Sequence, residues 1–142
     1  MYALPDALPP LLYIANKLYT PSYVSREFAL SYHRIIPETV YEVTSVSTKA
    51  TRHYERLGTV YSYKHIKKSA FTGYTVERQQ GFTFRIADPE KAFVDTLYYR
   101  VLSGKKPITR FDKQKINEAK ALKYAKLFDN PKLVGILTRT LL

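Results

Sequence analysis

No cysteine occurs in the 142 residues, so the chain can build no disulfide framework, no thiolate zinc site and no thiol nucleophile. Glycine is scarce, and its five copies stand singly, which excludes a glycine-rich loop cradling phosphates. The three histidines, His33, His53 and His65, show neither metal-ligand spacing nor a His-Glu-x-x-His array. No apolar run approaches the roughly 18 residues that a membrane helix requires. The opening Met-Tyr-Ala-Leu-Pro-Asp lacks the basic start and apolar stretch of a secretory signal. These absences lead to the expectation of a cytoplasmic protein with no membrane partner, no metal and no cofactor.

Acids are also few. Twelve Asp and Glu face 23 Lys and Arg, for a formal net charge of +11. A domain this basic raises the local concentration of polyanions, and nucleic acid is the commonest of these in a cytoplasm. Hydrophobic residues make up 45% of the chain, enough to fill one core of ordinary domain size.

Pro5, Pro9 and Pro10 keep residues 1–8 from starting a helix, and this stretch reads as a linker ahead of a domain at 9–142. A helix is expected over residues 9–18, capped by Asp6 or Ala7 and ended by Thr20-Pro21. Ser25 looks like the cap of a short helix over 26–33 that buries Phe28, Ala29 and Tyr32. The middle is rich in β-branched residues. Strands are expected over 40–46, 52–57, 59–66 and 82–86, with Leu57-Gly58 as a hairpin turn and Gly73 and Gly81 marking a further connection. At Asp88-Pro89-Glu90 the period changes to 3.6: a cap, a first-turn proline and an acid at the positive dipole end. Phe93, Val94, Leu97, Tyr98 and Val101 form the apolar stripe of this helix, and Ser103-Gly104 ends it. Further helices are expected over 112–118 and 120–128, with a last one after the Asn130-Pro131 cap. The fold class is α+β: short N-terminal helices, a central antiparallel sheet and C-terminal helices.

Two basic tracts stand out. The first holds Lys49, Arg52, Arg56, Lys64, Lys67 and Lys68 with Tyr54, Tyr61 and Tyr63 interleaved. On a hairpin, Arg52, Tyr54 and Arg56 share one face of their strand, while Tyr61, Tyr63 and His65 align on the next. Such a ribbon can reach phosphates with its charges and hydroxyls, or it can be a solvated sheet face whose tyrosines half-cover the core. The second tract, Lys105 to Lys126, reads as the solvent side of helices, with Lys113, Lys120, Lys123 and Lys126 facing out. The candidate phosphate-binding residues are Lys49, Arg52, Lys64, His65, Lys67 and Lys68. No catalytic residues are assigned. Asp88 and Asp95 could be imagined as paired carboxylates, but Asp88 and Glu90 fit a helix start better, and Glu118-Ala119-Lys120 lacks the acidic strand a nuclease would place before it.

An ordered series of motifs runs through the chain: Tyr23-Val24-Ser25-Arg26-Glu27-Phe28-Ala29-Leu30-Ser31-Tyr32-His33, Ile36-Pro37-Glu38, Val43-Thr44-Ser45-Val46, Thr51-Arg52, Gly58-Thr59-Val60-Tyr61-Ser62-Tyr63-Lys64-His65-Ile66, Phe71-Thr72-Gly73-Tyr74 and Ala87-Asp88-Pro89-Glu90-Lys91-Ala92-Phe93-Val94-Asp95. The series resembles the AbiEi antitoxin family, transcriptional regulators of phage-defence, type IV toxin–antitoxin systems. The resemblance implies a DNA-binding autorepressor that counteracts a nucleotidyltransferase-like toxin without forming a stable complex with it. It also implies an N-terminal winged helix-turn-helix, of which residues 1–8 would be the remnant, followed by the C-terminal antitoxin domain at 9–142. His33, Thr51, Arg52, Tyr63, His65 and Lys91 fall on positions of the family's motifs. Two other readings stand beside this one. The first is a metal-dependent nucleic-acid-processing enzyme with Glu42, Asp88, Glu90 or Asp95 as ligands, which needs acids converging beside a lysine. The second is a structural dimerisation module, which needs a large apolar surface patch.

Overall fold

The computed structural model describes residues 9–142; the linker expected at 1–8 and the caps Asp6 and Ala7 lie outside the described residues. Five α-helices and six strands occupy the described part: α1 (Leu11–Leu18), β1 (Ser22–Val24), α2 (Arg26–Tyr32), β2 (Val43–Ser47), β3 (Arg52–Arg56), β4 (Thr59–His65), β5 (Tyr74–Gln79), β6 (Phe82–Ala87), α3 (Pro89–Leu102), α4 (Glu118–Ala125) and α5 (Pro131–Leu141). The strands form one sheet in the order β3-β4-β2-β1-β6-β5. The class is α+β, with a central sheet and flanking helices.

The sheet is mixed rather than wholly antiparallel. β3–β4, β1–β2 and β5–β6 pair antiparallel, whereas β2–β4 and β1–β6 run parallel. The hairpins follow from their turns. Leu57 and Gly58 both take positive φ (51° and 81°), as a two-residue hairpin turn of the right twist demands, and Gln80-Gly81 repeats the geometry. β1 falls outside the expected strands. It is three residues long, wholly buried, and sits between β2 and β6. β5 occupies what the sequence suggests only as a connection between two glycines.

Pairing fixes the faces, because directly opposite residues point the same way. Tyr63, Tyr61 and their β3 partners Arg52 and Tyr54 face α1, where the Tyr63 hydroxyl donates to the Ala15 carbonyl at 2.5 Å. Tyr23, Val46 and Lys64 face the other side, where α3 lies and the Tyr23 hydroxyl meets Asp95. α3 is the central helix. Every residue from Glu90 to Leu97 is buried, so its polar side is covered as well as its stripe. Phe93 and Leu97, fully buried, each contribute about 1.5–3 kcal/mol relative to exposure. α4 and α5 pack outside it.

Several local expectations are corrected. Of the helix expected over 112–118, residues 112–117 form no α-helix; Asp112 caps a single 3-10 turn over Lys113–Lys115, its carboxylate accepting from the Gln114 N–H at 3.1 Å. α4 begins earlier than expected, at Glu118, with Asn117 as its cap, and ends in a 3-10 turn over Lys126–Phe128. Ser25 precedes α2 but does not cap it with its side chain. α2 buries Arg26, Ala29 and Leu30, while Tyr32 is 41% exposed. Asp88 and Asn130 do cap their helices, accepting from the Lys91 and Leu133 N–H groups.

Candidate nucleic-acid interface

The first basic tract is divided between the two faces of the sheet. Lys49, in the β2–β3 turn, and Arg52, on β3, both lean on the ring of Tyr19, at 5.5 and 5.3 Å from its centroid. Tyr19 is itself fixed, its hydroxyl donating to the Ala50 carbonyl at 2.9 Å. The Arg52 guanidinium also donates to the Tyr54 hydroxyl at 3.2 Å, and that bond is the main reason its pKa is raised. Aromatic faces attract cations electrostatically, so the two charges are held together at the sheet edge. Among the described residues neither lies within ion-pair distance of a carboxylate.

His65, one residue beyond Lys64 on β4, belongs to the same corner. Its N–H donates to the Thr51 hydroxyl at 3.0 Å, and Nδ1 lies 3.2 Å from the Lys49 carbonyl. A carbonyl can only accept, so in this contact Nδ1 carries the proton and Nε2 is left for solvent or a ligand. Lys64 points the opposite way, onto the α3 side, with Nζ 5.7 Å from the Tyr99 ring. Lys67 is engaged internally: its Nζ donates to the Phe128 carbonyl at 2.9 Å and sits 3.9 Å from Asp129. Lys68 is exposed at the start of a 3-10 turn. The structure thus brings Lys49, Arg52 and His65 together and separates Lys64 and Lys67 from them.

The second tract is less free than its periodicity suggests. Lys113 donates to the Leu142 carbonyl at 2.6 Å, and Lys115 to the Arg34 carbonyl at 3.0 Å. Lys120 turns inward to Asp88 and Glu90, at 3.2 and 3.5 Å. Two carboxylates beside a lysine are what an acid-dependent nuclease site would need, so their other contacts matter. Asp88 already accepts from the Lys91 N–H at 2.8 Å and the Tyr124 hydroxyl at 2.6 Å, and Glu90 from the Asn117 N–H at 2.8 Å. The cluster ties the start of α3 to α4. Burial, then the bond to Asp88, pushes the Tyr124 phenol well up. Burial works against the Lys120 ammonium, but the bond to Asp88 and the charges of Asp88 and Glu90 outweigh it and raise its pKa.

Sequence reasoning missed a buried network under the sheet. Lys91 and Asp95, one turn apart on α3, form an ion pair of 2.5 Å with both side chains inaccessible to solvent. The Lys91 ammonium also donates to the Tyr23 hydroxyl at 2.9 Å, and Asp95 accepts from Tyr23 at 3.1 Å and from Ser25 at 2.6 Å. Burial first, and Asp95 second, drive the Tyr23 phenol far up in pKa. Gly73 lies against the Lys91 stem so closely that a Cβ there would come within 2.7 Å of Cγ. His33 is likewise structural, with Nε2 2.7 Å from the Ala87 carbonyl.

The four acids named for an enzyme are therefore distributed: Asp88 and Glu90 on Lys120, Asp95 on Lys91, and Glu42 exposed at another cleft. Among the described residues no group of three or more His, Asp or Glu is placed to hold a metal ion. No helix there is long and apolar enough to cross a membrane. No protein-family model, curated protein or solved structure matches the chain.

Proposed function

We propose that this chain is a non-catalytic regulatory domain that contacts nucleic-acid phosphates through the Lys49–Arg52–His65 corner, as the antitoxin domain of an AbiEi-type repressor would. The observation that carries this reading is the pair of cations held on Tyr19, with no carboxylate within ion-pair distance of either among the described residues. Preordering favours binding because less side-chain freedom is lost when a phosphate arrives. In the same reading, base recognition belongs to a winged-helix partner domain, the promoter of its own operon is the DNA bound, and a nucleotidyltransferase-like toxin is the functional counterpart.

Phosphate contacts position a protein without carrying direct sequence information. The test is fluorescence anisotropy with two duplexes of unrelated sequence over a range of salt concentrations. Both should bind alike, with affinity falling steeply as salt rises. Replacing Lys49 and Arg52 together by Gln should reduce the log–log slope by about 1.8, at about 0.9 for each phosphate no longer neutralised. Absence of binding at low salt would sink the reading. Metal-dependent turnover of DNA or RNA that disappears in Asp88→Asn would replace it with an enzyme.

A further inference from the structure

Arg26 is 5% exposed, yet no carboxylate stands within ion-pair distance of it among the described residues. Its Nε and Nη2 donate to the Ser45 carbonyl at 3.2 and 3.0 Å, and Nη2 reaches the Ser62 hydroxyl at 3.1 Å. All of these acceptors are neutral. Nη1 makes no hydrogen bond among the described residues. The backbone of Arg26 has φ +63°, a left-handed conformation that a non-glycine residue keeps only where its surroundings enforce it. A buried guanidinium ordinarily comes with a carboxylate, because removing the charge from water is otherwise uncompensated. Here the fold holds the cation in a strained backbone and, among the described residues, brings no carboxylate within ion-pair distance of it.

Arg26 lines a cavity of about 400 Å³ between β4 and α3, a volume in the range of small-ligand sites. Lys64, Arg100 and Lys105 line the same cavity. Arg100 donates through Nη1 to the Lys106 carbonyl at 2.8 Å, while its Nε is buried with no partner. The Arg26 guanidinium and the Lys64 ammonium both lie within 6 Å of the Tyr99 ring, at 5.8 and 5.7 Å. The carboxylates of Glu27 and Glu42 also border the space, but neither pairs with any of these cations. Two guanidinium groups, each with an N–H left without an acceptor, suit the oxygens of a tetrahedral dianion better than any single-point charge.

We propose that this cavity binds a phosphate monoester, with Arg26 and Arg100 contacting its oxygens and Lys64 and Lys105 closing on it from the rim. The site does not rest on the DNA reading, since it lies on the α3 side of the sheet, away from Lys49 and Arg52. A free mononucleotide and the phosphorylated end of a short strand present the same group, and the assay separates them.

The experiment is an amide NMR titration of the whole chain at constant ionic strength. Its arms are inorganic phosphate, adenosine 5′-monophosphate, adenosine, and a dinucleotide with and without a 5′-phosphate. Saturable shifts at Arg26, Thr44, Tyr99 and Arg100 are expected with every phosphorylated probe and with none of the others. A tighter mononucleotide than dinucleotide identifies a free ligand, and the reverse order identifies a strand end. Lys64→Gln combined with Lys105→Gln should weaken phosphate binding at least about tenfold and leave the thermal midpoint unchanged, since both side chains are exposed. Lys49→Gln with Arg52→Gln should leave the cavity's affinity intact while weakening duplex binding. Shifts that chloride reproduces, no saturable shift at millimolar phosphate, or undiminished affinity in the Lys64/Lys105 variant would each overturn the proposal.

Discussion

Replacing Lys91 by Met removes a charge from a place where its partner cannot reach water. Both side chains of the Lys91–Asp95 pair are fully inaccessible, so Asp95 is left buried with only the hydroxyls of Tyr23 and Ser25 as donors. Breaking one side of a buried pair costs about 3–5 kcal/mol, chiefly because the other charge stays uncompensated. Met fills nearly the same volume against Gly73 and the Phe128 ring, so little of that loss comes from packing. Asp95→Asn should cost a similar amount, because it strands the ammonium instead. The double variant should be less damaging than the two losses combined, since Asn still accepts from Tyr23 and Ser25 and no charge remains. A coupling of about 2 kcal/mol is expected, well above the roughly 0.5 kcal/mol seen between independent sites. Urea denaturation followed by tyrosine fluorescence and circular dichroism measures all four corners of the cycle. Losses that simply add would mean that no ion pair stabilises the fold here, and the reasoning would fail.

Asp88→Ala removes a helix cap and the acceptor for Lys120 and Tyr124, so unfolding free energy should fall by about 2–3 kcal/mol. Asp88→Asn, which can still cap, should fall by about 1 kcal/mol; equal losses in the two variants would contradict the cap. At alkaline pH the buried phenols of Tyr23 and Tyr63, raised mainly by burial, stay protonated while the unfolded chain ionises its tyrosines near pH 10. Their contribution is complete below about pH 10 and disappears as pH rises beyond it. At pH 11 the loss should be about 1.4 kcal/mol for each, or about 3 kcal/mol together. Tyr32, raised to about 12 by burial and then by Glu77, is too exposed to add much. Urea midpoints and phenolate absorbance measured across this range check the claim, and a midpoint that holds steady through pH 11 would refute it.

What could be read in the sequence was what local chemistry decides. Asp88-Pro89-Glu90 announces α3 because cap, proline and acid all act within one turn, and Leu57-Gly58 announces its hairpin because two adjacent positive φ angles suffice. β1 was illegible for the opposite reason: its three residues have no alternation, and they are a strand only because β2 and β6 lie on either side. β5 is an edge strand with mostly exposed residues, so no apolar period marks it. The candidate phosphate residues were legible as a charged tract, and the pleat already set His65 apart from Lys64; the engagement of Lys67 by Phe128 and Asp129 was not, because those partners lie some sixty residues away. Lys91 and Asp95 have the spacing of an ordinary surface pair, and nothing but burial distinguishes them. Arg26 sits where a solvated first-turn residue is expected; its positive φ is imposed by neighbours that its own segment does not specify.

The position of β1 has a kinetic consequence. The two outer hairpins can close through their own short turns, whereas the sheet becomes one body only when β1 finds β2 on one side and β6 on the other. Val24 and Ile86 are far apart in the chain, so that meeting carries the largest loop-closure entropy and comes late. Because Tyr23 and Ser25 at β1 bond to Asp95 on α3, seating the strand and seating the helix are one event. A nascent chain caught before it holds two finished hairpins whose inner edges, on β4 and β6, have no neighbour. Those edges are open to strands of other chains, and how briefly they stay open decides whether the protein folds or aggregates.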